Sequence, residues 1–170
     1  QYVAEMNRSI VTVTGVSSGV DWFNNVKENK NQSSGVIIAQ NGKQLLILTD
    51  YSPVKQADDI IVTFNEGTQT DASLKEKDET TGLAVIAVEL DTLNEDFLKN
   101  DITIATLGSS NIREIAGLPV VALGRPMGIN GSVGYGIITS SASESAASDT
   151  TYRILQTNIV GSQNAGGVLF

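Results

Sequence analysis

Histidine and cysteine are both absent from the 170 residues. Without an imidazole or a thiol, the chain cannot run Ser-His-Asp or Cys-His hydrolysis or thiolate redox chemistry. It cannot form a disulfide or a zinc centre built on His or Cys. Basic residues are also scarce: 11 Lys+Arg stand against 19 Asp+Glu, for a net charge of −8. No cluster of four or more basic residues occurs, so neither nucleic acid nor an anionic membrane surface is the expected partner. Long apolar runs are missing too. None approaches the roughly 18 to 20 residues that a helical membrane span needs, and no signal-peptide pattern is present. The lack of cysteine leaves the compartment open, because exported proteins do not all carry disulfides. What is present suits a folded core, with 41% hydrophobic against 18% charged residues.

Short β-branched runs alternate with turn signals, and they predict strands at residues 10–14, 35–40, 44–49, 59–65, 70–78, 83–90, 119–123, 132–141 and 152–157. So many closely spaced strands imply an all-β antiparallel sandwich or barrel. Asn41-Gly42, between VIIAQ and KQLLILT, predicts a hairpin because both residues tolerate positive φ, and Asn130-Gly131 predicts a second. Residues 21–34 are polar, hold the only tryptophan, Trp22, and read as a loop, as do residues 140–150 (SSASESAASDT). Trp22 suits either a partner anchor or a loop aromatic folded onto its own barrel. A helical turn is expected only at residues 93–99. The two halves, about 9–92 and about 100–170, match in length as two like-sized barrels would.

Four segments form an ordered series: ILTDYSPV (47–54), TGLAVIAV (81–88), LGRPMGINGSVGYGIIT (123–139) and QNAGGVLF (163–170). Over residues 9–170 the series resembles the HtrA/Deg branch of the chymotrypsin-like serine proteases. Members of that branch read ILTN-x-HVV, TDLAV, GNP-x-G leading into VT-x-GI, and GNSGGP. The resemblance implies a two-barrel trypsin-like fold of Greek-key antiparallel barrels, with the C-terminal barrel incomplete because the family's closing hairpin would follow Phe170. It places Ser52 at the catalytic histidine, Gly82 at the aspartate and Ala165 at the nucleophilic serine. Ser, Gly and Ala cannot serve as base, orienting carboxylate and nucleophile. The oxyanion loop is altered as well: Gln163, Asn164 and Ala165 stand where the family has Gly-Asn-Ser, and that first glycine serves an unusual backbone conformation. Val168 replaces the usual proline. By the same resemblance Ile159, Val160, Gly161 and Ser162 form one wall of a peptide pocket.

Other chemistries are weaker. Ser52-Pro53-Val54-Lys55 has the S-x-x-K spacing that lets a lysine activate a serine on a helix, and Pro53 would suit a first helical position. Its companion S-D-N and K-T-G elements are absent. Asp58 and Asp59, or Glu95, Asp96 and Asp101, do not match a calcium loop and read as solvating charge. Glycines 128, 131, 134 and 136 run into a strand rather than a helix N-terminus, which argues for a hairpin over a phosphate loop. The expectation is a catalytically inactive domain with no cofactor and no metal. It would be a binding, regulatory or structural module of a larger extracellular or cell-envelope protein, with a protein or peptide partner. The missing strands could come from another chain, and the oligomeric state is open. The alternatives are a purely structural barrel with no peptide cleft and a hydrolase using a Ser52/Lys55 dyad.

Overall fold

The computed structural model describes residues 2–20, 26–109, 115–125, 128–147, 150–161 and 166–170. The chain divides into two compact units, Gln1–Ala105 and Thr106–Phe170. In the first, helix α1 (Tyr2–Asn7) precedes strands β1 (Ile10–Val20), β2 (Val26–Asn41), β3 (Gln44–Asp50), β4 (Asp59–Thr63), β5 (Gln69–Asp78) and β6 (Leu83–Glu89). The six close into a barrel in the order β1-β2-β3-β6-β5-β4, which leaves no edge strand. Alternating side chains fill the interior. Val13 of β1, Ile37 of β2, Leu45 and Ile47 of β3, Val62 of β4, and Ile86 and Val88 of β6 are fully or almost fully buried there. Thr49 also points inward; its hydroxyl donates to the Ser34 carbonyl at 3.0 Å and accepts from the Ser33 hydroxyl at 2.9 Å, so a buried polar pair is satisfied. Helix α2 (Glu95–Asn100) is capped by Asn94, whose side chain accepts from the Asp96 N–H. It lays Phe97 edge-on against Phe64, with ring centroids 5.2 Å apart.

The second unit holds β7 (Pro119–Arg125), β8 (Ser132–Ala147), β9 (Thr150–Thr157) and β10 (Gly166–Leu169), an open antiparallel sheet in the order β10-β7-β8-β9. Its core groups Ile115, Val120 and Ile138, with Leu155 and Ile159 packed against them. The all-β class is therefore as expected, with one closed barrel and one incomplete one.

The two expected loops are corrected in large part. Residues 26–34 belong to β2, which pairs with β1 from Ile10↔Val36 out to Val20↔Val26. Residues 140–147 belong to β8, which pairs with β9 as far as Ala147↔Thr150. In the outer part of the β1–β2 ribbon a continuous ladder satisfies the backbone while residues 27–32 stay exposed, so no apolar alternation marks the strand. The first hairpin turn also sits one residue late: Asn41 pairs with Gln44, leaving Gly42-Lys43 as the connection. Helix α1 and strand β10, six and four residues long, are too short to show a periodic pattern in the sequence.

Candidate functional site

Strands β3 and β6 pair from Gln44↔Glu89 to Asp50↔Leu83. One step beyond, the Tyr51 N–H donates to the Gly82 carbonyl at 2.7 Å. Positions 52 and 82 are thus brought to the same end of the barrel by strand register alone. Residues 162–165 and Trp22 lie outside the described residues, which takes in Ser162, Gln163, Asn164 and Ala165.

Gly82 has φ of 72°. In that left-handed region a β-carbon costs about 1–2 kcal/mol, although nothing lies within 4 Å of where one would sit. The penalty for a side chain at 82 is therefore conformational. Asp78 organises the turn that leads into Gly82. The Gly82 N–H donates to the Asp78 backbone carbonyl at 2.9 Å, and the Thr80 N–H donates to the Asp78 carboxylate at 2.9 Å. Hydrogen bonding from the Thr81 side chain, and then from the Thr80 N–H, holds the Asp78 carboxyl below its ordinary value of 3.8. A depressed native pKa contributes stability that is present above the unfolded carboxylate range and is lost as pH falls through the native value. In an NMR titration the Thr80 and Thr81 amide signals, whose N–H groups donate to the Asp78 carboxylate, should move with a midpoint below 3.8. A midpoint at or above that value would contradict the turn geometry.

Ser52 is exposed in a run of turns after β3. The Val54 N–H donates to the Tyr51 carbonyl at 3.1 Å and the Ala57 N–H to the Val54 carbonyl at 3.4 Å. Pro53 therefore begins no helix, and the helical geometry expected for a Ser52/Lys55 dyad is absent. No hydrogen bond joins Ser52 to Lys55 among the described residues. The turn is held on β1: the Asp58 N–H donates to the Val16 carbonyl at 2.8 Å, and the Asp58 carboxylate accepts from the Ser18 N–H at 2.7 Å. Asp58 is thus occupied by the backbone.

Beside these positions the structure holds a group that sequence motifs do not reveal. Tyr51 is buried, and its hydroxyl accepts from Lys77 Nζ at 3.2 Å. The ammonium groups of Lys77 and Lys55 lie 5.2 and 5.9 Å from its ring centroid, within cation–π range. Lys77 also pairs with Glu79. Hydrogen bonds to Glu79 and then to Tyr51 push the Lys77 amine up from its ordinary value. Glu79 is held down by its hydrogen bond from Lys77, and then by the charges of Lys77 and Lys55. A lysine kept protonated in this way donates and cannot act as a base near neutral pH. Tyr51 falls within the ILTDYSPV segment, yet its partner on β5 is set by the register of that strand, which shifts between Leu74 and Glu76.

In the second unit the segment after β9 is pinned against β8. The Asn158 side-chain oxygen accepts from the Ile137 N–H at 2.8 Å. A β-carbon on Gly136 would sit 2.3 Å from that oxygen and 2.6 Å from Ile159 Cγ1. Ile159 accordingly turns into the core beside Ile115, Val120 and Ile138. Of the expected pocket wall, Val160 and Gly161 face outward, Val160 being 83% exposed.

Comparison with known proteins agrees with this architecture. Residues 33–170 match the trypsin-like peptidase domain family. A probable periplasmic serine endoprotease DegP-like from Halomonas elongata is 33% identical over 145 residues, covering 85% of this chain and 28% of that protein. Serine endoprotease DegS from Haemophilus influenzae is 32% identical over 143 residues, covering 82% of this chain and 38% of that protein. The chain thus spans well under half the length of these curated relatives. The solved structure of a variant of the HtrA-type protease AlgW with a decapeptide superposes with a TM-score of 0.73 at 25% identity, over 98% of this chain and 53% of that one. Among the described residues no helix is long and apolar enough to cross a membrane. The closed barrel, the second partial barrel and the match over most of the sequence lead to one assignment: the chain belongs to the trypsin-like peptidase domain family, in its HtrA/DegP branch.

Proposed function

We propose that this domain is catalytically inactive and acts as a binding or regulatory module of a larger cell-envelope protein. The observation that carries the proposal is the complete absence of histidine from a chain that matches the family over residues 33–170. Deprotonation of an attacking serine needs a neighbouring base, and in this fold the imidazole supplies it. Ser52, Gly82 and Ala165 at the triad positions cannot divide that work, and Gln163 replaces the first glycine of the oxyanion loop. The left-handed backbone at Gly82 supports the same reading, because a returning aspartate would have to adopt a strained conformation there. Lys77, the cation hydrogen-bonded to Tyr51, is tied up as a donor.

A peptide is the ligand class favoured. The structurally similar AlgW variant was solved with a decapeptide, and peptides commonly pair with an exposed sheet edge while a side chain enters a pocket. Here β9 and β10 are the edge strands, and Val160 and Gly161 face outward. A strand from another polypeptide would add to either edge in the same manner. The envelope location rests on relatives named as periplasmic. The test is a titration of labelled decapeptides against the purified domain, followed by mass analysis of the recovered peptide. Saturable binding with the peptide intact is expected. Binding that fails to saturate for every sequence would favour a structural barrel, and recovered fragments would overturn the proposal.

A further inference from the structure

The chain contains two Asn-Gly pairs, Asn41-Gly42 and Asn130-Gly131, both at exposed turns and both with the glycine at positive φ. They share the chemistry that makes this dipeptide labile. The glycine backbone nitrogen can attack the asparagine side-chain carbonyl carbon, forming a five-membered succinimide and expelling the amide nitrogen as ammonia. Water then opens the ring at either carbonyl, giving aspartate or isoaspartate. No oxidant, metal or enzyme is required. Glycine favours the attack because it places no side chain beside the nucleophilic nitrogen.

The two sites differ at the nucleophile. The Gly131 N–H donates to the Gly124 carbonyl at 2.8 Å, a bond that helps to close the turn between β7 and β8. Among the described residues no hydrogen bond engages the Gly42 N–H or the Asn41 side chain. At the first turn the neighbouring anchor is on the next residue, where the Lys43 carbonyl accepts from the Leu90 N–H at 2.7 Å. Open space surrounds the Cβ directions of Gly42 and Gly131 alike, so the two sites are distinguished by the hydrogen bond at the nucleophilic nitrogen.

We infer that Asn41 is a site of spontaneous, conformation-controlled deamidation in the folded protein, and that the fold protects Asn130. Releasing the Gly131 N–H from its acceptor forfeits a net hydrogen bond, which slows attack about tenfold relative to Gly42. The product has consequences. Asn41 pairs with Gln44 to close the β2–β3 hairpin, and isoaspartate there reroutes the main chain through an extra methylene. The new carboxylate also adds negative charge to a chain already at −8.

The test uses the intact chain, aged at mildly alkaline pH, then digested and mapped by mass spectrometry, with isoaspartate identified by an isoaspartyl methyltransferase. A parallel sample is aged in urea. Conversion at Asn41 about tenfold faster than at Asn130 in buffer, with the two rates converging in urea, is the expected result. Equal rates in buffer, a faster Asn130, or a difference that persists unchanged in urea would overturn the inference.

Discussion

Gly15→Ala should destabilise the first barrel by about 3 kcal/mol, the upper range for forcing atoms into a packed site. Gly15 lies on β1 between Asn31 of β2 and Ile60 of β4. A β-carbon there would fall 1.8 Å from the Pro53 carbonyl oxygen and 2.8 Å from its carbon, with Ala57 Cβ at 3.1 Å. Local preference points the other way, since replacing a strand glycine by alanine ordinarily gains about 0.5–1 kcal/mol. Sterics win because the obstruction is backbone and cannot rotate away. It can only be relieved by lifting the turn that carries Ser52, or by parting β1 from the bonds it makes to Asp58. Urea unfolding followed by circular dichroism measures the loss. A cost below about 1 kcal/mol would mean that the turn moves freely and does not clamp β1.

Ile86→Ala should cost a similar amount, about 3–4 kcal/mol. Ile86 is fully buried and sits on β6 opposite Ile47 of β3 and Leu74 of β5, in the middle of the barrel wall. Its removal takes apolar surface out of the core and leaves a void that a closed barrel cannot collapse, because every strand is bonded on both sides. The same urea experiment reads it. Retention of most of the wild-type midpoint would show that the barrel repacks around the gap.

The parts of this fold that can be read from sequence are those in which side-chain pattern and burial coincide. QLLILTD alternates between inward and outward positions along β3, and LAVIAVE packs Ala84, Ile86 and Val88 inward along β6. Their pairing carries the motif residues at 52 and 82 to one end of the barrel, so this half of the site follows from strand assignment. The outer part of β2 could not be read in the same way. VKENKNQ presents exposed polar side chains, and only its ladder to β1 makes it a strand. At the serine- and alanine-rich end of β8, too, the ladder to β9 defines the strand, where the letters SSASESAA carry no apolar alternation. The Asn41-Gly42 signal located a hairpin but not its register, because the closing pair includes Asn41 itself.

Long-range packing accounts for what was missed at the site. The contact between Gly15 and Pro53 joins β1 to a turn two strands later in sequence. The Lys77 ammonium reaches Tyr51 only because β5 shifts register between Leu74 and Glu76. The S-x-x-K spacing, which supported only a weaker alternative, fails for a related reason. Spacing implies proximity only on a helix, and residues 52–56 are turns. The φ of Gly82 is likewise a property of the folded turn, and no string of letters encodes it.

Whether the domain turns over peptide bonds is decided by a direct assay. The purified protein is incubated with casein and with a panel of fluorogenic peptides at neutral pH, beside Ser52→Ala and Lys55→Ala variants. No turnover above buffer is expected for any of the three. Turnover that persists through successive purification steps and vanishes in Ser52→Ala would contradict the proposed inactivity and assign the chemistry to that serine.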